Sequence, residues 1–225
     1  MNSSARRSCQ YQWTNPDPRG SVAFDTYLAG LSSARRTSVR RERRALRGLG
    51  VELRVVPGPE MDFADFWRDY RATAQRNDCQ EPPLPESFFV ELQQRFPERV
   101  EFIEARQEGR VVGRSLNLVG EDGGYYGRYW ASSEPLRFLH FEVALYSGIE
   151  RCLSEGHRWF DPGYGGEHKR ARGFVPSWVH SAHWYADRGV HRAGASWAHD
   201  EASWFADEFG LSLKNPSSQD SRAEG

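Results

Sequence analysis

The sequence is short of cysteine, and the cysteines it has are poorly placed for covalent or metal chemistry. Its three cysteines, Cys9, Cys79 and Cys152, are an odd number, lie far apart and form no CxxC pair. That usage argues against both a disulfide framework and a zinc site. Cys152 falls in an amphipathic helical pattern and is expected in the core. On no single helix or strand do the later histidines have the spacing of metal ligands; they are His180, His183, His191 and His199. We therefore expect no bound metal.

The chain also lacks a long apolar run. No stretch approaches the roughly 20 apolar residues that a membrane-spanning helix needs, so we expect no membrane insertion. Residues 1–12 contain two arginines but no apolar segment, unlike a secretory signal. These absences predict a cytoplasmic protein whose residues 1–12 form a flexible N-terminus.

An excess of basic charge is missing as well, since the formal net charge is -1. That balance argues against a large nucleic-acid footprint. The distribution is less even, because residues 34–47 hold seven arginines against the single acid Glu42. Such a segment can dock an anionic donor or partner, or it can be a solvated helix face. The candidate docking residues are Arg40, Arg41, Arg43 and Arg44.

Hydrophobic periodicity predicts an α+β fold, with a central mixed, mainly antiparallel sheet flanked by helices. Three consecutive strands with hairpin-type turns are predicted over 100–109, 110–120 and 124–132. Helices are predicted over 24–49, 63–77, 87–97, 136–156 and 197–211, and further strands over 51–56, 157–163 and 178–186. We expect one domain over 13–187, a helical extension over 188–213 and a disordered tail over 214–225.

Four sequence elements together resemble a known family. They are RRTSVRRER (35–43), YGRYW (126–130), LHFE (139–142) and FDPGYGGEHKRARGF (160–174). They are similar to motifs of GNAT-like N-acyltransferases related to the Fem aminoacyltransferases, and the resemblance covers roughly residues 10–185. It implies a single GNAT-like domain that forms an amide bond by transferring an acyl or aminoacyl group from an activated donor to an amine.

Two departures bear on the substrates. Fem-like proteins commonly carry two such domains, whereas 225 residues give room for about one. The junction 131–141 contains no glycine, which argues against the usual acetyl-CoA pyrophosphate cradle. The donor is then a co-substrate, either an acyl thioester on CoA or a carrier protein, or an aminoacyl-tRNA, and the neutral net charge favours the thioester. The acceptor is expected to be an amine on a small molecule or peptide.

The resemblance points to catalytic candidates in two motifs. In LHFE, His140 or Glu142 is the candidate base; alternatively the histidine is packed and the glutamate only favours a helix N-terminus. In GEHKRARGF the catalytic candidates are Glu167, His168 and Lys169, and the alternative is a solvated basic turn.

Binding candidates come from the same two regions. Arg172, three residues after Lys169, shares its helix face and is suited to hold a phosphate or carboxylate. Tyr126, Arg128 and Trp130 alternate along a strand and are expected to share one face that binds substrate. A different class remains open, namely a non-catalytic module that binds an amine, a peptide or RNA through the basic helix.

Overall fold

The computed structural model of the chain describes residues 3–19, 23–77 and 82–213. The helices are α1 (Phe24–Ala29), α2 (Ser33–Gly48), α3 (Phe63–Arg76), α4 (Glu86–Arg95), α5 (Leu139–Phe141), α6 (Ser147–Glu155) and α7 (Arg188–Phe209). The strands are β1 (Ser4–Thr14), β2 (Val51–Pro57), β3 (Val100–Gln107), β4 (Arg110–Val119), β5 (Gly124–Ser132), β6 (Trp159–Asp161) and β7 (Val175–His183). Short 3₁₀ helices cover Gly58–Glu60, Pro97–Arg99 and Glu167–Arg172, and a π-helical segment covers Glu142–Tyr146.

The chain divides by its internal contacts into two compact units. The larger unit is Gln12–Phe174, and the smaller comprises the described parts of Met1–Tyr11 and Val175–Gly225. The expected flexible N-terminus over 1–12 is wrong for the described residues, because they form most of β1. Successive side chains of an extended chain point to opposite faces, and hydrogen bonds to a neighbouring strand stabilise that extended form. The predicted tail over 214–225 lies outside the described residues, and the boundaries of the domain over 13–187 stay a prediction.

A mainly antiparallel sheet forms the centre of the larger unit. Its strands follow the order β2-β3-β4-β5-β6, and the last two residues of β1 pair with β6. All these pairs are antiparallel except β5 with β6, which is parallel. In the smaller unit, the start of β1 neighbours β7. The predicted meander over 100–132 and the predicted fold class are both confirmed.

Helices cover both faces of this sheet. Phe102 lies in a cluster with Phe63 and Phe66 of α3, and their ring centroids lie 5.0 and 5.2 Å from that of Phe102. Its neighbour Ile103 belongs to a second cluster, with Leu139 at the start of α5. Neighbouring strand residues point to opposite faces, so a strand buried on both sides reads as a continuous apolar run.

Helix ends follow the expected chemistry at two places. The Asp62 side chain accepts a hydrogen bond from the Ala64 amide at 2.9 Å, which makes it the N-cap of α3. Gly156 ends α6 in the left-handed region at φ 76°, where glycine has no Cβ penalty. The helix predicted over 24–49 is instead two helices, because the chain turns at Gly30 and restarts at Ser33.

A β-bulge interrupts the ladder between β4 and β5. Leu116 pairs with Tyr129, and the next residue of β4, Asn117, pairs with Gly127. Arg128 is therefore an extra residue with no partner in β4. Bulges bend a strand and re-aim its side chains, and they are common beside functional sites.

Candidate functional site

Buried charges join α2 to the helical segment that follows β5. The Arg43 Nε donates to both carboxylate oxygens of Glu142, at 2.9 and 3.2 Å. Its other nitrogens donate to Glu150 at 2.7 and 3.2 Å. Arg43 and Glu142 are both buried. Burial raises the pKa of Glu142, and the positive charge of Arg43 opposes that rise. Glu142 is thus held by an arginine rather than free to act as a base.

A second buried group lies beside the first. Arg172 donates to Glu42 at 2.9 and 3.1 Å and to the Tyr146 hydroxyl at 2.7 Å. Tyr146 donates its hydroxyl proton to Glu42. The Arg172 guanidinium also lies 3.5 Å from the centre of the Phe141 ring. The predicted binding residue Arg172 is therefore buried, with its charge balanced by Glu42.

Sequence reasoning missed Glu42 and Tyr146. One signal could have found Glu42. It lies with Arg43 between Val39 and Leu46 at the i, i+3, i+4, i+7 spacing of one helix face, and all four are buried. Tyr146 occupies the π-helical segment together with Glu142, and π turns are frequent at functional sites.

The two histidines of the predicted site come together. The rings of His140 and His168 have centroids 6.1 Å apart, and Trp130 lies 5.4 Å from His140. Burial is the main cause that lowers the pKa of His140 to about 4, and the positive charges of His168, Lys169 and Arg172 lower it further. Burial also lowers the pKa of the more exposed His168. At neutral pH His140 is therefore an uncharged imidazole.

Lys169 anchors the glycine-rich loop that precedes it. Its Nζ donates to the carbonyl of Gly163 at 2.6 Å and to that of Tyr164 at 3.3 Å. Burial lowers the pKa of Lys169 to about 8, against the attraction of Asp161. Gly166 has φ 88°, and a Cβ there would lie 2.2 Å from the His168 ring. Lys169 thus holds the loop backbone, and the missing Cβ of Gly166 leaves room for the His168 ring.

The bulge separates residues that were predicted to share a face. Tyr126 pairs with Leu118 and Trp130 pairs with Ser115. Positions 115 and 118 are an odd number apart, so their partners point to opposite faces of the sheet. The predicted common face is therefore wrong, because the extra residue Arg128 shifts the alternation.

Trp130 contacts His140, whereas Arg128 contacts Tyr126 and Asp161. The Arg128 guanidinium lies 4.9 Å from the Tyr126 ring centre and 3.5 Å from a carboxylate oxygen of Asp161. Tyr126 donates to Asp122. Of the predicted substrate-binding set, the structure brings only Trp130 and Arg172 to the histidines.

The remaining predicted residues are exposed, with one correction. Glu167 is exposed at the start of the 3₁₀ helix, and Arg40, Arg41 and Arg44 are exposed on α2. Arg43 was grouped with these docking residues, and that prediction is wrong. It lies on the inner face of α2, where a charge is tolerated only because carboxylates pair with it.

The described residues offer neither a cluster of metal ligands nor a membrane-spanning helix. Within residues 3–19, 23–77 and 82–213, no three His, Cys, Asp or Glu side chains are arranged to hold a metal ion. In the same ranges, none of the helices is both long and apolar enough to span a lipid bilayer. Cys152 is buried as expected, and burial raises its thiol pKa.

With this geometry in view, comparison with known proteins identifies the family. The chain belongs to the FemAB-like family, described as peptidoglycan biosynthesis/recognition, whose model matches residues 1–213. The Fem relationship predicted from the motifs is confirmed, and the GNAT relationship stays a prediction. No curated protein matches the chain.

Three solved structures share the fold. A conserved protein of unknown function from Bacteroides thetaiotaomicron VPI-5482 has 12% identity and a TM-score of 0.51, over 75% of this chain and 57% of that one. The C-terminal domain of a putative lysylphosphatidylglycerol synthetase from Agrobacterium fabrum has 11% identity and a TM-score of 0.54, over 90% and 67%. L-PGS from Bacillus licheniformis has 13% identity and a TM-score of 0.50, over 80% and 60%. This chain thus spans 57 to 67% of the length of these structures.

Proposed function

We propose that the protein transfers an aminoacyl group from an activated ester to an amine and so forms an amide bond. The observation that carries this proposal is the FemAB-like match over residues 1–213. The fold it shares with a putative lysylphosphatidylglycerol synthetase, which is named for an aminoacyl product, supports aminoacyl transfer as the reaction. The acceptor is an amine on a small molecule or a peptide.

His140 is the proposed catalytic base. The attacking amine must lose a proton as its nitrogen bonds to the ester carbon, and an uncharged imidazole can accept that proton. The low pKa of His140 also makes its protonated form a ready donor to the leaving alcohol oxygen when the ester C–O bond breaks. The proton thus passes from the amine to the alcohol, and His140 returns to its starting state.

His168 and the glycine loop support this role. The partly exposed His168 ring lies beside His140 and offers a route for protons to solvent. Lys169 keeps the loop, and with it His168, in position. Arg172, whose charge is balanced by Glu42, donates to the His168 backbone carbonyl at 2.9 Å and so helps to hold His168 beside His140.

The donor is proposed to be an aminoacyl ester of tRNA, with an acyl thioester as the alternative. Both present an activated carbonyl to an amine. The glycine-free junction 131–141 still argues against a CoA pyrophosphate cradle. The net charge alone favours the thioester. The family relation favours the ester, and we give it more weight.

The test supplies each donor to the purified chain with a panel of amines. Aminoacyl-tRNA carrying a radiolabelled amino acid is compared with an aminoacyl pantetheine thioester, and amide products are identified by mass spectrometry. We expect His140→Gln to lower kcat about a hundredfold or more, the usual contribution of a general base. The matched control, His199→Gln, changes an exposed histidine of α7 and should keep the full rate.

Two results would refute the proposal. One is a full rate in His140→Gln, which would show that His140 is not the catalytic base. The other is saturable binding of the amine or the donor with no product from either donor, which describes the non-catalytic binding module.

A further inference from the structure

A cavity of about 470 Å³ lies between α1 and α2 and is rich in arginine. Its arginines follow one face of α2 at i, i+3, i+4 and i+7 spacing. They are Arg40, Arg43, Arg44 and Arg47. The carboxylates that line the same cavity are Asp25 and Glu150. Four positive charges therefore face two negative ones.

The pairing of these arginines leaves part of their charge uncompensated. Arg43 is neutralised by Glu142 and Glu150. Arg40 reaches the exposed Asp25 only at 3.4 Å. Within the described ranges of the chain, neither Arg44 nor Arg47 takes part in an ion pair. Both guanidinium groups are exposed and can turn toward a ligand in the cavity.

The rest of the wall is apolar. Phe24, Leu28 and Val39 line it, and the Phe24 ring centre lies 4.3 Å from the Arg43 guanidinium carbon. A concave site of this size encloses a compact molecule, whereas a helix that follows a nucleic-acid backbone presents its charges on an open surface. The planar guanidinium fork matches phosphate oxygens in pairs.

We infer that this cavity binds a compact phosphorylated ligand of the pyrophosphate or phosphate-ester type, through Arg44 and Arg47 with help from Arg40. Arg43 forms the fixed floor. It also links the cavity to Glu142, two residues after the proposed base His140.

Inorganic pyrophosphate is the probe, titrated into the full chain by calorimetry at constant ionic strength. We expect saturable binding, and at least a tenfold weaker affinity in the double variant Arg44→Gln/Arg47→Gln. The matched control is Arg35→Gln/Arg41→Gln, which removes two exposed charges from the same helix without touching this cavity. The control should lose less than about threefold in affinity, and circular dichroism should show both variants folded.

Three outcomes would overturn the inference. The first is the absence of saturable heat with pyrophosphate up to about 10 mM. Binding, if any, would then be weaker than about 3 kcal/mol in free energy. The second is an equal loss in both double variants, which describes diffuse attraction to the helix. The third is a short RNA oligonucleotide that binds more tightly than pyrophosphate and weakens equally in both variants. Binding is measured without turnover, so these outcomes leave the proposed aminoacyl transfer untested and intact.

Discussion

His140 links the stability of the protein to pH. Its pKa is lowered to about 4 from the usual 6.5. As pH falls the unfolded chain takes up this proton first, so stability is complete above pH 6.5 and is lost between 6.5 and 4. The loss from this group is at most about 3 kcal/mol. We expect His140→Gln to lose less stability than wild type over this window, measured by urea unfolding at several pH values.

The control for this comparison is His199→Gln, which should follow the wild-type pH profile. Identical profiles for wild type and His140→Gln would mean that His140 is as easily protonated in the folded chain as in the unfolded one. That result would also weaken its assignment as an uncharged base.

Lys169 should affect activity more than stability. Lys169→Met removes both hydrogen bonds to the loop carbonyls, but it also removes a buried charge, and these effects oppose each other in the free energy of unfolding. We expect transfer to fall more than tenfold, about 1.4 kcal/mol in activation free energy, with little change in melting temperature. Chymotrypsin should cleave after the exposed Tyr164 faster in the variant. Unchanged cleavage together with a full rate would show that Lys169 does not hold the loop.

The site shows which inferences a sequence supports for single residues. LHFE and GEHKRARGF place His140 and His168 close together, because both motifs follow strands that are neighbours in the sheet. The pattern gave no partner for Arg43 or Arg172. Those pairs join residues about 100 and 130 positions apart, so they depend on how the helices pack.

Among the secondary-structure elements, β5 contains a β-bulge that the periodicity of its sequence did not reveal. Most strands and helices were predictable because their apolar residues recur at regular intervals; the exceptions are β1 and the break between α1 and α2. A bulge changes the alternation by one residue without changing the composition of the strand, so YGRYW looked like a regular strand. Only the register with β4 shows that Arg128 is the extra residue.

Deletion of that residue should be tolerated. Without Arg128, Gly127 and Tyr129 become neighbours and pair with Asn117 and Leu116 in a regular ladder. We expect this deletion to cost at most about 2 kcal/mol of unfolding free energy. The measurement is thermal unfolding followed by circular dichroism.

The matched deletion removes Tyr129 instead. It moves Arg128 opposite Leu116, into the place where the Tyr129 ring lies 5.7 Å from that of Phe89 and 5.6 Å from that of Tyr70. An unpaired charge in this aromatic cluster should prevent stable folding. Equal stability of the two deletion variants would contradict the bulge.

At the scale of the whole molecule, the division into two units predicts that the larger unit folds as an isolated fragment. The two hydrophobic clusters described above and every proposed site residue lie within Gln12–Phe174. We expect the fragment 12–174 to unfold cooperatively, as seen in its near-ultraviolet circular dichroism on heating, because it keeps the core that stabilises the sheet. A fragment with helical signal but no cooperative transition would show that the smaller unit is required for folding.

Glu42 and Arg43 are adjacent in α2 but bond to different neighbours, Arg172 and Glu142. Each residue of a helix is rotated by about 100° from the one before it. A turn of α2 by one residue would bring Glu42 toward Glu142, so that like charges would meet in a buried place. The opposite charges of these two residues therefore oppose a turn of α2 by one residue about its own axis. The arginines of the cavity thus keep a constant direction relative to the helix that bears His140.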